Sequence, residues 1–404
     1  MRIAFLTSEY PTEQPDHGGL ATYVHRIGRL LQRFGHDPEV FVTSEKKTST
    51  TTSHDGLLVH QIGWTRQSNI LSIGFRAGRR LVPSVSWKAS IDLLLKSHAL
   101  ARALERRQAS APFDLVQSAD YLATGLFVRA CPGRIHAVRC SGATDLYSTF
   151  DQNISGFTKF QSYMERLTMK RADVSYAPSR YLAGYFERMH GMNVRVIRPP
   201  TFRIPERSPL PFDLPGRFFI HFGMLRERKG TALLAEALPL AWKMAPDLTM
   251  VWCGSCHDKS KLDRWRSLWG DHARQVQITG PLARTDLYQV LRSAEVAVLP
   301  SQVDNLPNTV IESLSLGIPV VGSRGASIDE LLEEGVTGHL VELGDVEGLA
   351  RTLARMWNKQ TSVAKGFKWG SEILKEMSHE AAVANLLGLC HQQGLPPNQQ
   401  PKSQ

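Results

Sequence analysis

Short apolar runs of strand-like length alternate with helix-like segments along nearly the whole chain, and this alternation narrows the fold more than any other feature. The first run is Ile3-Ala-Phe-Leu-Thr7. Leu20, Tyr23, Val24, Ile27, Leu30, Leu31 and Phe34 then recur on one helical face, and Gly35 stands where a C-terminal stop is expected. A second strand is predicted at Val40-Phe-Val-Thr43, and others at 57–62, 114–117, 135–140, 174–177 and 194–197. Strands alternating with helices imply a parallel sheet covered on both faces. At Arg198-Pro199-Pro200 the alternation stops, and residues 199–216 hold six prolines. It restarts with Phe218-Phe-Ile-His-Phe222, 248–252, 276–278, 296–299 and Val320-Val321. The expectation is an α/β chain of two doubly wound, Rossmann-like domains in tandem. Residues 1–198 form the first, 199–216 a linker and 217–368 the second; a C-terminal helix at 369–393 returns to the first, and 394–404 are a disordered tail.

Composition supports a globular reading. Of 404 residues, 42% are apolar and 21% charged, which sets aside disordered, collagen-like and coiled-coil classes. No apolar stretch approaches the roughly 18 residues of a membrane span, and Met1-Arg2-Ile3 runs into a strand rather than a signal peptide, so a cytoplasmic protein is expected. Cysteines at 131, 140, 253, 256 and 390 are too scattered for a secreted disulfide framework. Cys253-Gly-Ser-Cys256 has redox or half-zinc spacing, but no second pair with ligand spacing accompanies it. The net charge of +10 lies wholly in the first half, most densely at residues 66–107. There Arg66, Arg76, Arg79, Arg80, Lys88, Lys96, Arg102, Arg106 and Arg107 face only Asp92 and Glu105. Such a field attracts anionic membranes, nucleic acid or anionic substrates, and is equally what a solvated helical face presents.

In open α/β sheets ligands bind beyond the carboxyl ends of the strands, where loops lead into helix N-termini. Three loops fit. Asp16-His-Gly-Gly-Leu20 offers two glycines before a helix, without the G-x-G-x-x-G spacing of a dinucleotide oxidoreductase. Phe222-Gly-Met-Leu-Arg-Glu-Arg-Lys-Gly230 carries Arg226, Arg228 and Lys229, a set suited to a polyphosphate. The third runs from Pro300 through Asp304, Asn305 and Glu312 to Gly317-Ile-Pro-Val-Val321. Glu312 falls on a short helix among Val310, Ile311 and Leu314, where an unpaired carboxylate is costly, so it needs a partner. A ligand diol and a structural Arg are the two candidates.

These segments, with Ile278-Thr-Gly-Pro281, Ala294-Glu-Val-Ala-Val-Leu-Pro-Ser301, Glu334-Gly-Val-Thr-Gly338 and Leu343-Gly-Asp-Val346 in order, resemble the retaining nucleotide-sugar glycosyltransferases of family 4. That family is built on the two-domain B-type fold. The resemblance spans nearly the whole chain, weakest at 60–110 and strongest at 222–229 and 280–349. It implies two parallel sheets facing each other across a donor cleft, with the second domain holding the nucleoside diphosphate sugar as co-substrate and no other cofactor. Glu312 matches the carboxylate that grips the ribose hydroxyls. Asp304, with Asn305 beside it, matches the first of the family's paired glutamates, one methylene shorter. Lys229 matches the lysine that neutralises the diphosphate, and Gly18 and Gly19 the loop that closes over it. By this reading Lys229 and Asp304 are the catalytic pair.

Two positions depart from the family pattern. Met224 stands where Arg is expected, and Arg226 or Arg228 would supply the charge. Cys140 stands where the family usually has a sugar-contacting His. Glu9, Asp120, Arg139 and Cys140 are the acceptor-side candidates, with Ser141 and Asp145 nearby. No D-x-D motif occurs, so no metal is implied. The expectation is transfer of a sugar to a lipid-linked or glycan acceptor, in the cytoplasm or on the inner membrane face, with residues 66–107 meeting anionic lipid and no nucleic-acid partner. A non-catalytic nucleotide-sugar or partner-binding protein and a sugar-nucleotide epimerase are the alternatives.

Overall fold

In the computed structural model the described residues are 1–13, 18–46, 48–64, 86–202, 204, 206–210, 212–256, 258–361, 363, 365–369 and 372–391. The chain divides into two compact units, one of residues 1–200 and 376–404 and the other of 201–375.

The first unit holds β1 (Arg2–Thr7), β2 (Asp37–Ser44), β3 (Thr50–His54), β4 (Leu57–Gly63), β5 (Leu115–Ala119), β6 (Ile135–Arg139), β7 (Val174–Ala177) and β8 (Arg195–Val196). They form one sheet in the order β3-β4-β2-β1-β5-β6-β7-β8. Every pairing is parallel except β3 with β4. That hairpin corrects the all-parallel expectation. Thr50-Thr-Thr-Ser-His54 is a polar, exposed edge strand whose β-branched threonines favour extended backbone without giving an apolar signal. Central strands are buried on both faces, as in β5, where all five residues are inaccessible. The helix Gly19–Arg33 buries Leu20, Tyr23, Val24, Ile27, Leu30 and Leu31 against β1, β2 and β5, and Gly35 follows it at φ +78°.

The second unit contains β9 (Phe219–Phe222), β10 (Met250–Cys253), β11 (Val276–Gly280), β12 (Val296–Leu299), β13 (Val320–Ser323) and β14 (Gly338–Val341). Its order is β11-β10-β9-β12-β13-β14, parallel throughout. The core gathers Trp242, Trp252, Trp265, Trp269 and Trp357 around Leu234, Leu238 and Leu353. Two expectations change in detail. From Thr201 onward the proline-rich stretch read as a linker belongs to this unit: Phe202 lies under the Arg284 guanidinium and the Glu206 carbonyl accepts from Gln289. The single helix expected at 369–393 is two, Glu372–Glu376 and His379–His391, the Ser378 hydroxyl capping the start of the second. Val383, Leu386, Leu389 and Cys390 then join the core of the first unit. The tail from 394 lies outside the described residues.

Candidate functional site

In a doubly wound sheet the chain runs outward from a central strand in one direction, returns and continues in the other. The two loops at that reversal diverge and leave a crevice at the carboxyl edge. In the second unit the reversal falls between β9 and β12, and the loops leaving these two strands carry most of the residues singled out above.

The β9 loop is held on both sides. The Gly223 amide donates to the Cys253 carbonyl at 3.0 Å and the Leu225 amide to Ser255 at 2.9 Å. On the other side the Gln302 amide, from the β12 loop, donates to the Arg228 carbonyl at 2.8 Å. The loop tightens into a 3-10 turn, Glu227–Lys229, and enters the helix Thr231–Met244 through Gly230 at φ +73°. A Cβ at Gly230 would collide with the Pro300 carbonyl, so glycine is what lets the two loops touch. Their contact brings the Lys229 ammonium onto a carboxylate oxygen of Asp304 as an ion pair. The other Asp304 oxygen accepts from the Asn305 amide at 2.9 Å. Two residues 75 apart in sequence, predicted to act together, meet at the strand-order reversal.

Glu312 lies in the helix Asn308–Ser315 and is buried. Between the two partners left open by the sequence, the structure supplies the Arg: Arg284 Nη2 approaches Glu312 Oε1 at 2.6 Å. Tyr288 donates to the same oxygen at 3.2 Å. Burial, and next the Glu312 charge, push the Tyr288 phenol up to about 12, so it remains a donor. Arg284 and Tyr288 were not singled out from the sequence; the only signal was that Glu312 required a partner. Arg226 immediately precedes the 3-10 turn and its guanidinium lies on the Met224 sulfur, which ties it to the position it was expected to replace.

In the first unit the reversal falls between β1 and β5. The β1 loop carries Glu9, whose Oε2 is 3.1 Å from where a Gly18 Cβ would stand, so the start of the helix Gly19–Arg33 lies close against this carboxylate. The β5 loop opens with Asp120, buried, its Oδ1 accepting from the Tyr121 amide, the Ser141 amide and the Ser141 hydroxyl, each at 2.7 Å. Leu122 and Ala123 follow at φ +58° and +51°, left-handed backbone that costs non-glycine residues about 1–3 kcal/mol each. Their partners hold this turn: the Leu122 amide donates to Glu165 Oε1 at 3.2 Å and the Ala123 amide to the Asp120 carbonyl at 2.7 Å. Glu165 Oε1 also accepts from Thr144 and Gln161 at 2.8 and 2.7 Å. Burial, with Asp120 near by, raises the Glu165 carboxyl to about 8; burial likewise lifts Asp120 to about 6. Sequence reasoning missed Glu165, which sits mid-helix in Gly156–Arg171 with nothing to distinguish it from a solvated residue.

Leu122 and Thr124 of this turn join Ser8, Thr43, Lys96, Ser97 and Phe157 around a cavity of about 230 Å³. Arg139 stacks at 3.9 Å over the Tyr23 ring, which leaves it packed within the unit. Cys140 is fully buried beside Val138, Leu182 and Met169, its sulfur 4.0 Å from the Met169 sulfur. This corrects its assignment to the sugar side: the thiol packs in the core, and burial raises it well above the usual thiol range. Cys253 is likewise buried, and Cys256 donates to the Asp258 carbonyl at 3.1 Å; neither forms a disulfide.

Of the basic stretch, 66–85 lies outside the described residues. In the helix Trp87–Ser110, Arg107 grips Glu39 through two 2.9 Å bonds and Lys96 pairs with Glu45. Burial alone would raise Glu39, yet the bonds from His60 and Arg107 hold it down at about 2. Lys88, Arg102 and Arg106 remain exposed. No helix among the described residues is long and apolar enough to cross a membrane.

Two parallel-sheet units, each with charged side chains gathered where its strand order reverses, define the B-type glycosyltransferase fold. Residues 17–201 match the profile of Glycosyltransferase Family 4, and residues 216–359 that of Glycosyl transferases group 1. The chain belongs to family 4 of the glycosyltransferases. Among its relatives, an amylovoran biosynthesis glycosyltransferase of Erwinia amylovora is 26% identical over 41% of this chain and 42% of its own length. A D-inositol 3-phosphate glycosyltransferase of Arthrobacter is 25% identical over 84% of this chain and 83% of its own. Thus the chain spans less than half the length of the Erwinia relative. Sucrose-phosphate synthase from Thermosynechococcus elongatus superposes with a TM-score of 0.70 at 16% identity, covering 97% of this chain and 98% of that one, which speaks to the fold.

Proposed function

We propose that this chain is a retaining glycosyltransferase that moves a sugar from a nucleoside diphosphate sugar to a lipid-linked or glycan acceptor in polysaccharide or glycoconjugate synthesis. The observation that carries the reading is the Lys229–Asp304 pair at the strand-order reversal of the second unit, with buried Glu312 on the following helix. The name of the Erwinia relative, an amylovoran biosynthesis glycosyltransferase, supports this reading.

In this reading Lys229 exchanges Asp304 for the donor diphosphate, with Arg228 and the N-terminus of the helix Asn308–Ser315 adding positive potential. Asp304, released from the ammonium, accepts from a hydroxyl of the transferred sugar. Glu312 turns a carboxylate oxygen to the ribose diol while it keeps its ion pair with Arg284. The acceptor hydroxyl bonds to the anomeric carbon on the face from which the diphosphate departs. The breaking carbon–oxygen bond leaves its electron pair on the phosphate oxygen, which takes the acceptor proton. Charge stabilisation at that oxygen carries the barrier reduction, so neither a protein nucleophile nor a bridging metal is required. The first unit takes the acceptor, its cavity beside the Leu122–Ala123 turn offering Lys96 and the hydroxyl residues Ser8, Thr43, Ser97 and Thr124 to a polar group and Phe157 and Leu93 to an apolar one. Exposed Lys88, Arg102 and Arg106 would meet anionic lipid at the inner membrane face, each contributing about 1 kcal/mol.

The test is proton NMR of fresh product made from a panel of nucleoside diphosphate sugars and membrane-derived acceptors. Retained anomeric configuration supports the mechanism; an inverted linkage, or conversion of donor without any acceptor, removes it.

A further inference from the structure

In the first unit, three side chains with metal-ligand chemistry converge. His25 comes from the second turn of the helix Gly19–Arg33, and His54 and Asp55 from the end of β3 and the turn after it. One ring nitrogen of each histidine and a carboxylate oxygen of Asp55 all lie within 4.8 Å of one another. The turn is built for this placement: Asp55 and Gly56 take φ +50° and +81°, the left-handed pair of a tight hairpin, which swings the Asp55 carboxylate toward the helix. His25 Nε2 is 3.1 Å from Asp55 Oδ2. The rings of His25 and His54 stand 5.1 Å apart. Behind them the buried Tyr10 hydroxyl lies 3.3 Å from His54 Nδ1, fixing that ring and leaving its Nε2 for a ligand bond.

We infer that His25, His54 and Asp55 bind one transition-metal ion of the zinc class, which clasps the β3–β4 hairpin to the helix that begins at Gly19. Two imidazoles and a carboxylate are a recurrent zinc donor set, with water as a fourth ligand. Tetrahedral zinc holds such donors about 3.4 Å apart, so the present spacing closes by small side-chain rotations of the half-exposed histidines and exposed Asp55. Arg29, whose guanidinium lies against Gly56, disfavours weakly held hard cations. Selection therefore falls on ions with strong bonds to imidazole nitrogen rather than on magnesium or calcium. The site is independent of the donor reading. Its ion would tie down an edge hairpin and the helix whose first residues form the Gly18–Gly19 loop.

The experiment titrates zinc into the full chain, stripped with a chelator and free of any histidine tag, by calorimetry and by competition with a chromophoric chelator. Asp55→Asn tests the site without threatening the fold, because the side chain is exposed and Asn tolerates the left-handed turn. His54→Gln and Cys256→Ser complete the set. The expected result is one ion per chain, at least tenfold weaker in Asp55→Asn and lost in His54→Gln, with Cys256→Ser unchanged. Cobalt in place of zinc should give a visible spectrum without a thiolate charge-transfer band. Equal zinc affinity in wild type and Asp55→Asn, loss on Cys256→Ser, or no binding below about 100 µM each overturns the proposal.

Discussion

Replacing Glu165 by Gln should stabilise the first unit, and increasingly so as pH rises from about 5 to about 8. Glu165 is fully buried and its carboxyl is raised to about 8 from an ordinary 4.5, by burial first and then by the Asp120 charge. A native carboxyl that keeps its proton to about pH 8, against 4.5 when unfolded, makes the native state bind more protons than the unfolded state across that window. Stability therefore falls as pH rises from about 4.5 to about 8. Asp120, raised to about 6 from 3.8, adds a loss of the same sign at lower pH.

At about 1.4 kcal/mol per pH unit, the full Glu165 window corresponds to roughly 5 kcal/mol above pH 8 and under 1 kcal/mol at pH 5. Gln cannot ionise, and its carbonyl oxygen can still accept from Leu122, Thr144 and Gln161, the three donors now on Oε1. The advantage of Glu165→Gln over wild type should grow by on the order of 3 kcal/mol between pH 5 and pH 8.5. Urea unfolding followed at both pH values, reading the transition of the unit that holds Glu165, measures the difference. A Gln variant less stable than wild type at pH 8.5, or an identical difference at both pH values, would refute the argument and show Glu165 to be ionised in the folded chain.

Gly230→Ala should lower stability by at least about 2 kcal/mol, because its φ of +73° is strained for any other residue and the added methyl meets the Pro300 carbonyl; thermal unfolding reads this directly. Glu312→Gln should keep the fold but weaken the preferred donor by about 1.5–3 kcal/mol in calorimetric titration, an unchanged dissociation constant removing Glu312 from the site. Lys229→Ala should cut transfer on the order of a hundredfold or more, whereas Cys140→Ser should stay within about tenfold, since the thiol is a core group. Transfer at room temperature should survive EDTA; complete loss restored by magnesium or manganese would mean that the diphosphate needs a bridging ion.

The elements legible in advance were those whose signal is apolar and local. The helix Gly19–Arg33 announces itself through seven residues on one face, and twelve of the fourteen strands among the described residues through short apolar runs. The two that escaped lack that signal: β3 is Thr, Ser and His on an exposed edge, and β14 is Gly338-His-Leu-Val341, shorter than the runs that drew notice. Site residues divided by the same rule. Lys229, Asp304 and Glu312 lie in loops or short helices whose composition is anomalous for their surroundings. Glu165 and Arg284 are ordinary charged residues on helices, and only packing turns one into a buried acid and the other into the partner of Glu312.

What no local pattern carries is the order of strands in a sheet. Nothing in the run Phe219–Phe222 says that its neighbours are β10 and β12, or that a loop 75 residues away will meet its own. Yet that order decides the chemistry. Were β12 to add at the far edge beyond β11, Lys229 and Asp304 would sit three strand spacings apart, roughly 14 Å, too far for an ion pair. Placed beside β9, the two loops touch through Gly230 and the Arg228 carbonyl, and opposite charges arrive at one crevice. The same logic applies in the first unit, where the reversal between β1 and β5 sets Glu9 and Gly18 on one loop and Asp120 on the other. The candidate site is thus a property of winding order, and the residues it gathers are those that diverging loops can present without burying an uncompensated charge.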